Sequence, residues 1–282
     1  MLCWKPAAHQ CRFHLLCTDM ALTDKAKITD CKKIFLFCKD KLLLCGKNKD
    51  APQLPAAAVF AQFIDKKIVN EWFYDSDYGY TAARTEKELQ DSKDFSFFYL
   101  PLRSIFALEY PFARLAARSL ALLNWKDSTR FCSACAGVLE NAEDETALVC
   151  SACGKRLYPA LSPAIIVQVY KGEKLLLAKH RERNTDIYTC LAGYVEPGEN
   201  LEECVQREVR EETGIEISDI RYVASQSWPF PNQFMVGFRA RWKSGDICIQ
   251  KSEIADARWF DKDNLPSIPK AGSLAYKLIS GK

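Results

Sequence analysis

The sequence predicts an α+β protein in which a β-rich N-terminal domain, a small cysteine-rich insert and a C-terminal α/β unit follow one another. Three observations predict this order. Short apolar runs separated by turn residues open the N-terminal part, two Cys-x-x-Cys pairs lie in the middle of the chain, and β-branched segments with one strong amphipathic helix come after them. The predicted divisions are a leader at 1–19, an N-terminal domain at 20–129, the insert at 130–157 and the C-terminal domain at 158–282.

The composition of the 282-residue chain is that of a globular protein with a sizeable core. Hydrophobic residues make up 48% and charged residues 27%, a balance that disordered chains do not have. We expect no membrane-spanning segment, because no stretch approaches the roughly 20 apolar residues that a membrane helix needs. The net charge of +3 is too small to indicate bulk binding of nucleic acid.

The cysteines and the first residues bear on the cellular compartment. The thirteen cysteines are odd in number and no convincing secretory signal precedes them, so the sequence predicts a cytoplasmic protein without a disulfide framework. Residues 1–19 contain Lys5 and Arg12 and no acidic residue before Asp19. That pattern fits a weak targeting peptide, or a disordered or spurious leader before Met20, and we expect this leader to be disordered.

The N-terminal domain is predicted to begin with a hairpin and to end with a helix. Two apolar runs within 33–45 flank the polar pair Lys39-Asp40, which is typical of a strand, a tight turn and a second strand. The segment 112–125 combines alanines with spaced leucines, a pattern that predicts a helix with an apolar stripe.

The cysteine-rich insert carries two Cys-x-x-Cys pairs separated by fourteen residues. The four cysteines are Cys132, Cys135, Cys150 and Cys153. Four thiolates on two turns suit tetrahedral Zn²⁺, and a site closed by four protein ligands is structural rather than catalytic. Gly137 and Gly154 are expected to supply the positive φ of each turn. The alternatives are a redox dithiol, a nucleic-acid-binding finger or unremarkable buried thiols.

The C-terminal unit is predicted to start with strands at 164–170 and 174–178, joined by a turn. Its central helix is predicted at 201–213, where Gly214 is the residue expected just past a helix end. A final helix is predicted near 272–280.

Three carboxylates of the central helix are candidates for catalysis. Glu208, Glu211 and Glu212 stand at i, i+3 and i+4 and therefore share one face. Like charges at this spacing repel one another unless a cation lies between them, and clustered oxygen ligands suit Mg²⁺ or Mn²⁺. The alternative is an ordinary solvated acidic face.

The spacing of the whole segment resembles the signature of the Nudix hydrolase superfamily. Residues 193–215 read GYVEPGENLEECVQREVREETGI and match the pattern G-x5-E-x7-R-E-U-x-E-E-x-G-U at every fixed position, where U is aliphatic. The resemblance implies a C-terminal α/β/α sandwich and metal-dependent hydrolysis of a pyrophosphate.

The resemblance also implies roles for individual residues. Glu208 and Glu212 are expected to be the main ligands of Mg²⁺ or Mn²⁺, and Glu211 a further ligand or the proton acceptor. The backbone carbonyl of Ala192 and the carboxylate of Glu253 are implied as additional ligands, with a base as the other role for Glu253. A solvated loop carboxylate is the alternative for Glu253. Arg207 should pair with a carboxylate and hold the helix against its loop, and Glu199 should be structural.

A second element indicates the substrate. Residues 225–233 read SQSWPFPNQ and resemble the SQPWPFPxS element of NADH pyrophosphatases, with Ser227 and Gln233 as departures. A proline-stiffened loop with two aromatic residues can grip a flat heterocycle at low entropic cost. The alternative is a rigid loop that only packs on the core. The zinc ribbon before the Nudix unit also fits that family, although Ala160 stands where the family has an arginine.

The family resemblance implies a homodimer that hydrolyses NAD(H) to nicotinamide mononucleotide and AMP and that also removes NAD caps from RNA. The residues then expected to contact the dinucleotide are Arg103, Glu145, Tyr158, Gln226, Ser227, Trp228, Pro229, Phe230, Pro231, Asn232, Gln233 and Ala275. Two other hypotheses stay open: a Nudix pyrophosphatase for another conjugate such as ADP-ribose, and a non-catalytic nucleotide-binding module.

Overall fold

The fold is described by a computed structural model. It describes residues 33–46, 52–66, 68–69, 72–75, 78–90, 96–108, 110–142, 144–181 and 186–281. The predicted leader at 1–19 lies outside the described residues. Among the helices of the described ranges, none combines the length and the apolar character that crossing a bilayer requires.

The N-terminal domain is a five-stranded sheet with helices on both faces. Its elements are β1 (Lys33–Cys38), β2 (Lys41–Cys45), α1 (Ala57–Asp65), β3 (Trp72–Asp75), β4 (Tyr80–Thr85), β5 (Phe97–Pro101), α2 (Leu102–Ala107) and α3 (Ala113–Ser128). The strand order is β3-β4-β1-β2-β5. The predicted hairpin is confirmed as β1 and β2, with Lys39 at a φ of 56° in the turn. The predicted helix at 112–125 is α3.

The period of two in β1 decides which residues meet which helices. Phe35 and Phe37 belong to the core cluster beneath α2 and α3, and Ile34 and Leu36 belong to the cluster beneath α1. Both faces of the strand are therefore buried, which explains its continuous apolar run.

The insert is a three-stranded antiparallel ribbon that carries the four cysteines. Its strands are β6 (Leu139–Asn141), β7 (Leu148–Cys150) and β8 (Arg156–Leu157). The ligand atoms of the four cysteines all lie within 4.8 Å of one another, as the prediction of a zinc site requires.

The prediction for the two glycines is right for Gly154 and wrong for Gly137. Gly154 has a φ of +71°. In the first turn the positive φ of 58° falls on Ala136 instead. Gly137 is needed for space, because a Cβ at that position would lie 2.8 Å from the Sγ atom of Cys150 and 2.9 Å from the Cβ atom of Ala152.

The C-terminal unit is a six-stranded mixed sheet between two helices. Its elements are β9 (Ser162–Lys171), β10 (Lys174–His180), β11 (Leu191–Tyr194), α4 (Leu201–Thr213), β12 (Glu216–Trp228), β13 (Gln233–Ser244), β14 (Ile254–Asp261) and α5 (Leu274–Ser280). The order is β12-β13-β9-β10-β14, and β11 also pairs with β9. One face packs on α4 and the other on α5. The predicted α/β/α sandwich is confirmed, as is the helix at 201–213.

Candidate active site

The helix that carries the predicted carboxylates is capped at both ends. The side chain of Asn200 accepts a hydrogen bond from the backbone N–H of Glu203, while the carboxylate of Glu203 accepts one from the backbone N–H of Asn200. Gly214 ends the helix with a φ of +71°. Such caps satisfy backbone groups that a helix end leaves unpaired. The caps fix both ends of α4, and the packing of its apolar face on the sheet fixes the direction of its polar face.

Arg207 ties this helix to the segment before it. Its guanidinium donates to both carboxylate oxygens of Glu199, at 3.0 and 2.6 Å, and to the carbonyl of Tyr194 at 3.0 Å. It also donates to Glu208 at 2.8 Å and to Glu211 at 3.1 Å. The predicted pairing of Arg207 with a carboxylate is thus present, and these bonds hold the pKa of Glu199 at about 2.

One of the three carboxylates of α4 is almost completely buried. Glu212 is only 2% exposed, and its Oε2 atom is buried without a hydrogen-bond partner. Burial, together with the negative charges of Glu208, Glu253 and Glu211, raises the pKa of Glu212 to about 8. Burial also raises the pKa of Glu208, against the opposing effect of Arg207. An unpaired buried carboxylate is costly unless something neutralises it.

The backbone of β11 lies against the first of these carboxylates. A Cβ atom on Gly193 would lie 1.8 Å from the Cδ atom of Glu208, so only glycine leaves the carboxylate its place. Ala192, the residue before it, pairs with Ile166 of β9. This places the peptide groups around Ala192 and Gly193 beside the Glu208 side chain.

Glu253 approaches the α4 acids from a turn outside that helix. It lies just before β14, and its negative charge raises the pKa of both Glu208 and Glu212. Gln250 links the two segments, because its backbone N–H donates to the carbonyl of Glu212 at 3.0 Å and its side chain donates to Glu253 at 3.4 Å. The four predicted carboxylates therefore lie near enough to act on one another through their charges, but within the described residues only the ribbon cysteines are grouped at ligand spacing.

The predicted substrate loop packs its aromatic residues against the N-terminal domain. The ring centroid of Trp228 is 5.5 Å from that of Phe106 and 5.0 Å from that of Phe230. The guanidinium of Arg103 lies 4.5 Å from the Phe230 ring and 5.7 Å from the Trp228 ring. Arg103 and the loop are thus brought together.

The ends of this loop are held by hydrogen bonds. The amide of Gln226 donates to the carbonyl of Gly272 at 2.8 Å and accepts from the N–H of Leu274 at 2.7 Å. Asn232 donates to the carbonyl of Ala160 at 3.3 Å. Pro229 is buried, the bond between Phe230 and Pro231 is cis, and Ala275 packs on the adjoining core.

A cleft of about 810 Å³ runs between α3 and the loop. Its walls include Arg114 and Arg118 on one side and Gln226, Ser227 and Asn232 on the other. The polar residues of the loop therefore line a solvent-accessible space.

Glu145 and Tyr158 form a separate pair on the ribbon. The hydroxyl of Tyr158 donates to Glu145 at 2.9 Å, and Arg156 donates to the same carboxylate at 2.6 Å. In the described part of the chain these hydrogen bonds join ribbon residues to one another, and they do not connect the pair to the carboxylates of α4.

Two family models match the ribbon and the C-terminal unit. The model of the NUDIX domain matches residues 160–280, and that of the NADH pyrophosphatase zinc ribbon domain matches residues 127–158. The NAD-capped RNA hydrolase NudC of Haemophilus influenzae strain PittEE is 44% identical over 185 residues, which are 64% of this chain and 70% of that protein. The chain belongs to the NADH pyrophosphatase family of Nudix hydrolases.

Two other proteins are also similar to this chain. The NAD-capped RNA hydrolase NudC of Stutzerimonas stutzeri strain A1501 is 47% identical over 166 residues, so the match covers 59% of this chain and 60% of that relative. A crystal structure of a NUDIX hydrolase from Nitrosomonas europaea aligns at 25% identity with a TM-score of 0.46, covering 54% of this chain and 88% of that one.

The Nudix carboxylate site fits a divalent cation. Glu212 has a buried carboxylate oxygen without a hydrogen-bond partner, and Glu208, Glu211 and Glu253 lie close enough for their negative charges to raise its pKa. A hard cation would satisfy that oxygen and cancel the mutual repulsion. The ribbon cysteines fit zinc, since all four thiols are grouped at ligand spacing.

Two residues near this Nudix site were not predicted from the sequence. Tyr194 is 50% exposed, and its hydroxyl accepts from the side chain of Gln233 at 2.6 Å, so an aromatic ring joins the carboxylate segment to the substrate loop. Gln250 joins Glu212 to Glu253. Tyr194 occupies a variable position of the signature and Gln250 lies outside it, so neither carried a sequence signal.

Proposed function

We propose that this Nudix hydrolase cleaves the pyrophosphate of NAD(H) to nicotinamide mononucleotide and AMP, with Mg²⁺ or Mn²⁺, and that it removes NAD caps from RNA. The observation that carries the proposal is the buried, unpaired oxygen of Glu212, whose pKa is raised by burial and by the negative charges of Glu208, Glu253 and Glu211. The names of the relatives, NAD-capped RNA hydrolases, support the substrate.

The residues of α4 and its neighbours would have different roles in the reaction. Glu208, Glu212, Glu253 and the carbonyl of Ala192 would hold the metal. A bound divalent ion acidifies water and offsets the charge of the diphosphate. Glu211 is the most exposed carboxylate bonded to Arg207, which suits a group that accepts a proton from solvent or substrate. Arg207 keeps the acids oriented through four hydrogen bonds to Glu199, Glu208 and Glu211.

The substrate loop would bind the dinucleotide beside this cluster. Gln233 contacts Tyr194, whose carbonyl is bonded to Arg207, so the loop and the carboxylates are joined through one residue. The remaining residues proposed to contact the dinucleotide are Arg103, Glu145, Tyr158, Gln226, Ser227, Trp228, Pro229, Phe230, Pro231, Asn232 and Ala275.

The assembly and the compartment are also proposals. A homodimer is supported by Tyr222 and Phe234, which are exposed on the neighbouring strands β12 and β13. A cytoplasmic location is supported by the cysteines, because all nine in the described residues are free thiols and four of them are grouped for zinc.

The test is a panel of nucleotide conjugates assayed on the full-length protein with Mg²⁺, with Mn²⁺ and with excess chelator. We expect turnover of NADH, NAD and NAD-capped RNA, and none with chelator. A preference for ADP-ribose would refute the substrate assignment, and inertness toward every conjugate would favour a non-catalytic nucleotide-binding module.

A further inference from the structure

We propose that Phe106, in the N-terminal domain, is a positioning residue that holds the substrate loop, residues 226–233, in its binding conformation. The inference rests on the proposed function, because it concerns how the dinucleotide is bound. It assigns the N-terminal domain a part in substrate affinity, although the carboxylates all lie in the C-terminal unit.

The first contact is between rings. Phe106 is 8% exposed, and its ring lies 5.5 Å from that of Trp228 at an interplanar angle of 36°. Trp228 and Phe230 both pack on the core cluster of the N-terminal domain. One face of the aromatic pair is thus anchored in a neighbouring domain, and its position depends on that domain being in place.

The second contact is between backbones. Gly272 has a φ of +81°, and a Cβ at that position would lie 2.0 Å from the carbonyl oxygen of Phe106. The carbonyl of Gly272 in turn accepts from the side chain of Gln226. Phe106 therefore reaches the loop twice, through Trp228 directly and through Gly272 and Gln226 at the start of the loop.

The two contacts predict an effect on binding rather than on the chemical step. Arg207, which bonds Glu208 and Glu211, and Gly193, which leaves room for Glu208, both belong to the C-terminal unit. A loop that is already ordered binds its ligand without the entropic cost of ordering. Loss of the Phe106 ring should therefore raise KM while kcat stays near the parent value.

The experiment compares steady-state kinetics with NADH for full-length Phe106→Ala, Trp228→Ala and the double variant. Phe106→Ala should raise KM roughly 3- to 10-fold, the range that an aromatic pair supports, with kcat within about twofold. If Phe106 acts through Trp228, the double variant should have a KM no higher than that of Trp228→Ala alone.

The matched control is Ile105→Ala, a substitution of a fully buried neighbour in the same helix and core cluster. It should lower the melting temperature at least as much as Phe106→Ala and leave KM unchanged. A KM unaffected by Phe106→Ala, multiplicative effects in the double variant, or an equal rise in KM from Ile105→Ala would each overturn the inference in an active parent enzyme. An inactive parent would overturn the proposed function as well.

Discussion

Glu212 is buried among other acids, and one of its oxygens has no hydrogen-bond partner. A stable protein normally avoids such a group, because desolvation of a carboxylate costs free energy that only a cation or donors restore. The neighbouring acids Glu208 and Glu253 add repulsion. The metal binding proposed for Glu212 would account for this otherwise costly burial.

Glu212→Gln should therefore separate activity from stability. We expect turnover of NADH to fall at least roughly 100-fold, because a first ligand should matter more than the outer residues of a metal site. The metal-free variant should melt no lower than the parent, since a neutral amide is less costly to bury than a carboxylate. Kinetics and calorimetry on the same preparation check both parts; an unchanged rate would show the ligand assignment to be wrong.

Gly193→Ala should damage the site through a single methyl group. The new Cβ would overlap the carboxylate of Glu208, whereas the φ of Gly193 is not among the positive values of the chain, so the strand itself accepts alanine. We expect weaker binding of Mn²⁺ and a fall in kcat of roughly 10- to 100-fold. Titration of Mn²⁺ with an unchanged affinity would contradict this expectation.

At the scale of the element, the contacts of α4 hold its acidic face in a fixed orientation. Its caps fix its ends, its apolar side is buried against the sheet, and Arg207 bridges it to Glu199 and Tyr194. A planar guanidinium can serve several acceptors in fixed directions, which an ammonium group cannot.

Arg207→Lys should consequently weaken the site even though the charge is kept. We expect metal affinity to fall roughly 10- to 100-fold, as for other outer residues that orient ligands. Arg210→Lys is the matched control on the same helix, because Arg210 pairs with the exposed Glu216 and such pairs contribute little. Equal effects of the two substitutions on metal titration would argue against an orienting role.

Local signals in the sequence predicted α4 well and its surroundings poorly. The end at Gly214 and the shared face of the acids follow from helix geometry, and the bounds agree with Leu201–Thr213. Phe106 and Gly272 had no such signal, because they meet the loop only after distant segments fold together. Gly137 was predicted to supply a positive φ, but it is required because a Cβ would clash with Cys150. The sequence does not show this packing.

At the scale of the whole molecule, the ribbon joins the two larger units. Leu148 of β7 is part of the core cluster of the N-terminal domain, while Ala160, just past the ribbon, accepts a hydrogen bond from Asn232 of the substrate loop. A ribbon this small has little core of its own, so its fold depends on the metal that its thiolates bind.

Cys150→Ser should therefore unfold the ribbon and loosen the loop while leaving the carboxylate site intact. Cys150 is buried between the other thiols, with its Sγ atom 3.4 Å from that of Cys135, and a hydroxyl is a poor substitute for a thiolate ligand. We expect loss of bound zinc, protease cleavage within 130–157 and a higher KM for NADH, with Mn²⁺ affinity preserved at the acids of α4. Ser151→Ala, an exposed change beside it, should retain zinc. A zinc-free Cys150→Ser protein that resists protease would show that the ribbon folds without its metal.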